Sequence, residues 1–416
     1  MRFNQLCILI ITLVFLLFNF GAVRAQKYDI IVWGAGNSGI SAAIAGAEKG
    51  NKTAIFFTNK TDFSFLLEEN ITSVYFNDLT AIIKPLAKEK GLTLAAAIKE
   101  KALISESLKQ LFSNYKNLDF FIQRDLMDLS LEDKIITQIT VGGSNYIKEI
   151  FFAKIYIDAT SDGELLTKAL VPLQIETEIA EDFSRFVEGA VKNAKWDTKA
   201  LLFEDLNTVR AKGYYRLSAL NAIATEDKQR PNIQKNTIAA GQLKGALKIE
   251  MESGESYSFL SLPFTVPYFT IIPQKIDNLL IANAFSTTKL GQVLVGQPKI
   301  KTDIATAAGL AASLCVTLET TAKKLPVELL QRELLRKKQA IVHFNDITAN
   351  SPYFEISQYF GLRGYLNEAS FNAEELLSEK RAKHWQFLSN QEAKLIEGKT
   401  TKGAFLQQLY KKIKEN

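Results

Sequence analysis

Cysteine and histidine are scarce in this chain, at two residues each among 416, and that scarcity excludes several kinds of chemistry at the outset. Cys7 falls in an N-terminal apolar stretch, so Cys315 is the one thiol left once that stretch is set aside. A single thiol cannot make an internal disulfide, a zinc cluster or an iron–sulfur site. Within a segment of small residues, Cys315 reads as a buried hydrophobe. His343 and His384 both lie late in the chain, so neither a metal centre nor histidine acid–base catalysis is expected. Strong charge is missing too, because 50 basic residues against 45 acidic ones leave a formal charge of +5. That balance excludes nucleic acid or an anionic surface as an expected partner. There is no internal repeat and no low-complexity linker.

Long apolar runs are absent with one exception. Arg2 precedes the apolar stretch Leu6–Phe18, and Val23-Arg24-Ala25 places a small residue before Gln26. This pattern reads as a secretory signal peptide over residues 1–25. Its apolar core is shorter than the roughly 20 residues that span a bilayer, so any membrane attachment would be through an uncleaved signal alone. No Arg-Arg pair is present, which points to export of an unfolded chain, periplasmic or extracellular, with any cofactor acquired afterwards. Cleavage removes Arg2 and Arg24 and no acid, lowering the formal charge from +5 to +3.

What the mature chain does contain begins at Asp29, in the run DIIVWGAGNSGISAAIAGAEKG. Ile30 to Trp33 is a continuous apolar stretch of the kind a buried parallel strand needs, and Gly34, Gly36 and Gly39 follow it as GxGxxG. The small residues Ala42, Ala43, Ala45, Gly46 and Ala47 predict a helix lying close to the sheet, ended by Gly50 and Asn51. Thr53 to Phe57 completes a βαβ unit. In such a unit Gly34 serves the tight turn, Gly36 the approach of a diphosphate to the backbone, and Gly39 the packing of helix on strand. The diphosphate would lie on free N–H groups at the positive end of the helix dipole. An acid usually follows about 20 residues later to hold the ribose, yet here the second strand ends in Phe57, Thr58 and Asn59, and the nearest acid is Asp62. Thr58 or Asn59 can offer only a neutral hydrogen bond, worth roughly 1 kcal/mol.

Further along, Asp62 to Lys90 reads as irregular, with Pro85 within it. Leu92 to Phe112 reads as one amphipathic helix. Strands are expected at Leu118–Ile122, Ile135–Val141 and Tyr146–Phe152, the last two flanking the turn signal Gly142-Gly143-Ser144-Asn145, which makes a β-meander. Lys154 to Asp158 is one more strand. It opens onto Ala159-Thr160-Ser161-Asp162-Gly163, a loop able to present backbone N–H groups and hydroxyls at the carboxyl edge of a sheet. Leu165 to Ser261 is more charged and less periodic and reads as an inserted substrate or cap region, where Gly213-Tyr214-Tyr215-Arg216 could line a cleft. Val266 to Pro273 returns the chain to the core, Asn278 to Ala282 forms a buried strand, and Asp303 to Leu318 forms an Ala-rich helix containing Gly309 whose N-terminus could face a ligand. Leu325 to Ile341 has a charged amphipathic helical pattern.

The order of these pieces resembles that of the FAD-dependent oxidoreductases of the glutathione-reductase-like superfamily, in particular the branch related to the flavin subunit of heterodisulfide reductase. That branch carries GxGxxG, a DATGDG-type motif, IPYR…P, NLLVAGR and a late GQAAGTAAA helix in sequence. The counterparts here are GAGNSG at Gly34, DATSDG at Asp158, VPYF…P at Val266, NLLIANA at Asn278 and ATAAGLAAS at Ala305. The resemblance implies that Gly34, Gly36, Ser38 and Gly39 hold the diphosphate of FAD, and Thr58, in place of the usual acid, is the candidate at the ribose. It also places Thr160, Ser161, Asp162, Gly163 and Asn283 beside the cofactor, and the helix from Asp303 on the flavin side. Several motif positions depart from the branch: Ser161 and Asn283 stand where it has glycine, and Ala284, Phe269 and Val295 where it has arginine. Lys289 reads either as a solvated lysine or as a positive charge near a reduced flavin. No residue is nominated as catalytic.

The expected fold is therefore α/β: an FAD/NAD(P)-binding Rossmann-like parallel sheet with a β-meander, an inserted substrate or cap domain, and a small C-terminal helical part. The expected divisions are 1–25, 26–165, 166–265, 266–341 and 342–416. In the last, Phe344-Asn345-Asp346-Ile347, Tyr353 to Phe360, Gly364-Tyr365 and Phe371 loosely resemble one S-layer-homology module. The expected activity is hydride transfer between a small-molecule substrate and FAD by an exported oxidoreductase, and the alternative is a non-catalytic binding protein on a degenerate flavoprotein fold.

Overall fold

A computed structural model describes residues 24–61, 63–67, 74–143, 148–174, 194–196, 210–213, 217, 236–251, 256–287, 289–366 and 368–415. The expected signal peptide, apart from Arg24 and Ala25, lies outside the described residues, as do Asp62 and Tyr214 to Arg216.

The centre of the molecule is a mostly parallel sheet. Strand β1 (Arg24–Lys27) lies at one edge, and β2 (Ile30–Trp33) and β3 (Thr53–Thr58) lie side by side in the middle. Every residue of β2 and β3 is buried, which is why both read as unbroken apolar runs without alternation. Between them runs helix α1 (Asn37–Ala47), buried from Ser38 to Ala47, so its small side chains serve close packing on all sides. Ile30 pairs with Thr53 and Trp33 with Phe56, fixing the register of the βαβ unit.

The segment expected to be irregular contains a helix, α2 (Val74–Glu89). Its buried residues Leu79, Ile83 and Ala87 recur every fourth position, and Pro85 sits inside it on the exposed face. The proline masks a pattern that tertiary packing enforces. The single helix expected over 92–112 is broken: Thr93 caps a short turn by accepting from the Ala96 N–H at 3.2 Å, and α3 (Lys101–Phe112) follows.

Strand β4 (Leu118–Glu132) is far longer than expected. Its first part pairs in parallel with β3, and its second turns antiparallel to β5 (Ile135–Gly142), which in turn pairs with β6 (Lys148–Phe152). One strand thus belongs to both the parallel sheet and the meander. Phe56 stacks on Phe121, and both meet Phe151 edge-on, with ring centroids 4.8 to 5.1 Å apart. Strand β7 (Ile155–Asp158) pairs with β2 on its other side, and a short helix, α4 (Glu164–Lys168), follows the loop after it.

In the inserted region the described part includes a long hairpin, β8 (Thr237–Met251) with β9 (Ser256–Pro267), which the sequence reading had not separated from the rest. The chain then returns through β10 (Leu279–Ile281), the outermost parallel strand beside β7. Two helices follow, α5 (Lys289–Gly296) and α6 (Pro298–Thr317). The latter begins five residues earlier than expected, because Pro298 occupies its first turn, where a missing N–H costs nothing. Helix α6 crosses α1 so closely that a Cβ on Gly309 would overlap the Ala42 carbonyl oxygen. Cys315 on α6 is buried, and burial pushes its thiol up to about 12.

Helix α7 (Val327–Arg336) closes this body. One apolar cluster ends at Ile341 and a second begins at Val342. The second is built on α8 (Phe354–Leu362), α9 (Glu379–Ser389) and α10 (Lys402–Glu415). Asp346 of the Phe344-Asn345-Asp346-Ile347 segment accepts from the N–H groups of Phe371 and Asn372 at 2.6 and 2.7 Å. The two bodies are stitched by Gln358, whose Oε1 accepts from Ile341 and Val342 N–H and whose Nε2 donates to the Val342 carbonyl.

Candidate functional site

The carboxyl ends of β2, β3, β7 and β10 and the first turns of α1 and α6 surround a cavity of about 520 Å³, within the usual range for small-molecule sites. Of the ten residues singled out from the sequence, Gly34, Gly36, Ser38, Thr58, Thr160, Ser161, Asp162 and Asn283 line it; Gly39 and Gly163 do not.

The glycines divide by environment. Gly34 has φ +93°, and a Cβ there would come within 2.7 Å of the Thr160 backbone nitrogen, so both the turn and the neighbouring loop demand glycine. Gly39 is filled from behind: a Cβ would overlap the Gly34 carbonyl oxygen and approach Ala159 Cβ at 3.4 Å. Its packing partner is therefore the turn itself as much as a strand. Gly36, by contrast, has nothing among the described residues within 4 Å of its would-be Cβ. That space is cavity.

Gly36 is also the N-cap of α1, which has no side-chain cap hydrogen bond and no acid in its first turn. The first N–H groups of a helix lack intrahelical partners and carry positive potential, so this end is left ready for an anion. Ser38, 3 % exposed, keeps its hydroxyl inside the same wall without a hydrogen-bond partner among the described residues. Asn37 Nδ2 donates to Thr302 Oγ1 at 3.0 Å and so ties the first turn of α1 to that of α6, which adds Pro298, Lys301 and Thr302 to the lining. An open backbone cradle and an orphaned buried hydroxyl at a helix N-terminus fit a nucleotide diphosphate.

The loop after β7 is held by Asp158. Its carboxylate is buried and accepts from Thr160 Oγ1 at 2.6 Å, Thr160 N at 2.9 Å and Leu166 N at 2.9 Å. Burial pushes Asp158 up to about 6, against the pull of those three hydrogen bonds. Thr160 Oγ1 additionally accepts from the Glu164 N–H at 2.8 Å. Both hydrogen-bonding groups of Thr160 expected at a cofactor are thus spent on the loop, and the residue faces the cavity mainly by its position. Asn283 donates to the Ala159 carbonyl at 3.3 Å, bracing the same loop from β10.

At the end of β3, Thr58 and Thr61 hydroxyls lie 3.4 Å apart, and Asn59 turns away to donate to Asp125 at 2.7 Å. Lys60 forms an ion pair with Asp162 at 2.8 Å, joining the β3 end to the β7 loop. Glu164 also lines the cavity, with Oε2 accepting from the Trp33 indole N–H at 2.7 Å. Sequence reasoning missed Asn37, Lys60, Glu164, Lys301 and Thr302. Glu164 directly follows the DATSDG run, but nothing local links it to Trp33, 131 positions earlier. Among the described residues no group of three or more His, Cys, Asp and Glu side chains is placed to hold a metal ion.

A family model described as FAD dependent oxidoreductase matches residues 29–234 and 207–334, well over half of the chain. Among solved structures, the chain is similar to THI4 of Thermovibrio ammonificans at 18 % identity and a TM-score of 0.23, covering 36 % of this chain and 65 % of that one. It is also similar to a flavoprotein/dehydrogenase of Cytophaga hutchinsonii at 13 % identity, TM-score 0.35, over 74 % of this chain and 84 % of that one. Similarity to the p-nitrophenol 4-monooxygenase PnpA of Pseudomonas putida DLL-E4 is 10 % identity, TM-score 0.32, over 94 % and 97 %. Likeness of this size transfers no substrate or activity.

Proposed function

We propose, from the premise that the chain belongs to the family of FAD dependent oxidoreductases and takes FAD as its cofactor, that it is an exported oxidoreductase acting on a small-molecule substrate. Within the family, the order of its motifs favours the branch related to the flavin subunit of heterodisulfide reductase. When bound, FAD supplies two-electron chemistry, and the reaction proposed is hydride transfer between substrate and flavin.

The chain's own residues do the binding and orienting. Gly36 leaves room for the diphosphate, the first N–H groups of α1 and the Ser38 hydroxyl are donors to it, and Lys301 adds positive charge on the α6 side. Thr302 and Asn37 hold the two helix ends together, and Asp158 with Thr160 keeps the β7 loop in place against them. The single observation that carries the reading is the unfilled space at Gly36 beside the orphaned Ser38 hydroxyl.

A second reading, a non-catalytic binding protein on a degenerate flavoprotein fold, is favoured by one observation: Thr160 spends its N–H and hydroxyl, and Asn283 its amide N–H, on the protein itself. The test is to purify the chain without its first 25 residues, add FAD, desalt, and record the visible spectrum and the melting temperature. Flavin bands that survive desalting, with a raised Tm, support the enzyme. A colourless protein with unchanged Tm supports the alternative.

A further inference from the structure

The end of β3 lacks the carboxylate that ordinarily holds the nucleotide's ribose, since Thr58 stands there and Asn59 is turned outward to Asp125. The cavity nevertheless contains carboxylates brought from elsewhere in the chain. Asp158 is fully buried, and its oxygens are occupied by Thr160 and Leu166. Asp162 is neutralised by Lys60. Glu164 differs from both in that, among the described residues, no cation pairs with it: Oε2 is fixed by the Trp33 indole N–H at 2.7 Å, and Oε1 has no hydrogen-bond partner there.

We propose that Glu164 is the ribose-binding carboxylate of this site, supplied from the β7 loop in place of an acid at the end of β3. The inference rests on the FAD reading above and names the residue that recognises the adenosine end of the cofactor. Trp33 is the last residue of β2, fully buried, with its ring 5.1 Å from Phe56, two positions before Thr58. An indole N–H can only donate, so it holds the carboxylate as an acceptor and fixes its direction. The backbone N–H of Glu164 is fixed as well, by Thr160 Oγ1 at 2.8 Å. Lys60, at the end of β3, lines the same cavity as Glu164 and is paired with Asp162 of the same loop. A vicinal diol brings two O–H donors, which a carboxylate accepts more strongly than a neutral group; among the described residues Glu164 Oε1 has no other donor.

The test uses ADP and its 2′,3′-dideoxy analogue as probes, titrated calorimetrically into the full mature chain and into its Glu164→Gln and Trp33→Phe variants. The wild type is expected to prefer ADP over the dideoxy compound by about tenfold or more, as a charged hydrogen bond would give. In Glu164→Gln that preference should shrink to about twofold while dideoxy affinity and apo melting temperature stay unchanged, and Trp33→Phe should fall between. A preference that survives in Glu164→Gln overturns the proposal, as does a wild type that binds both compounds equally. A wild type that binds neither ADP nor FAD overturns the FAD reading together with this one, so the two failures are distinguishable.

Discussion

Replacing Gly36 by alanine isolates the ligand cradle from the fold. Gly36 sits at φ −112° and ψ −159°, ordinary extended backbone for any residue, and its would-be Cβ meets nothing within 4 Å. Alanine there loses a little as a helix cap and gains a few tenths of a kcal/mol from a stiffer unfolded chain, so apo stability should change by less than about 1 kcal/mol. The methyl group, however, projects into the space a diphosphate needs in order to reach the first N–H groups of α1. Lengthening one or two of these charge-assisted hydrogen bonds costs roughly 1.5–3 kcal/mol each, about 10- to 100-fold or more in affinity. The assay pairs FAD titration, followed by absorbance after desalting, with chemical denaturation of the apo protein. Gly39→Ala is the control: its Cβ would overlap the Gly34 carbonyl oxygen, so it should lose roughly 1–3 kcal/mol of stability before any ligand is added. The reasoning is refuted if Gly36→Ala binds FAD as well as the wild type, or if it unfolds like Gly39→Ala.

Gly309→Ala should destabilise by roughly 1–3 kcal/mol, since its Cβ would stand 2.9 Å from the Ala42 carbonyl carbon and force α6 off α1; urea midpoints measure this. Gln358→Leu strands three buried backbone groups at Ile341 and Val342, so about 2–4 kcal/mol should be lost, seen as earlier unfolding of the C-terminal body by hydrogen exchange; wild-type protection would contradict it. For Asp158 the folded pKa, about 6, lies above the ordinary value of 3.8, so the unfolded state releases its proton first as pH rises. Its contribution to stability is therefore fully present below about pH 4 and is lost, by up to about 3 kcal/mol, as pH rises through 6. The slope of stability against pH should be flatter over that window in Asp158→Asn than in the wild type, even though the variant is less stable overall, and equal slopes would refute the assignment.

Much of the architecture was legible in the chain itself. Ile30 to Trp33 and Thr53 to Phe57 are apolar without alternation because their strands are buried on both faces, and the small residues of α1 and α6 announce helices that must pack closely. The glycine turn was legible for the same local reason. Other elements were hidden. Pro85 inside α2 looked like a breaker because its exposed setting is a tertiary fact, and β4 was cut short because its second half, in the meander, is only partly buried and lacks a clean pattern.

Sequence alone, then, determined the βαβ frame and the kind of ligand it suits, since strand burial, glycine geometry and helix polarity are properties of neighbouring residues. The tertiary structure decided which side chains meet in the cavity. Glu164 reaches Trp33 across 131 positions, and Asn37 reaches Thr302 across 265. Local spacing carries no information about such encounters, because they are set by the crossing of helices and the pairing of distant strands.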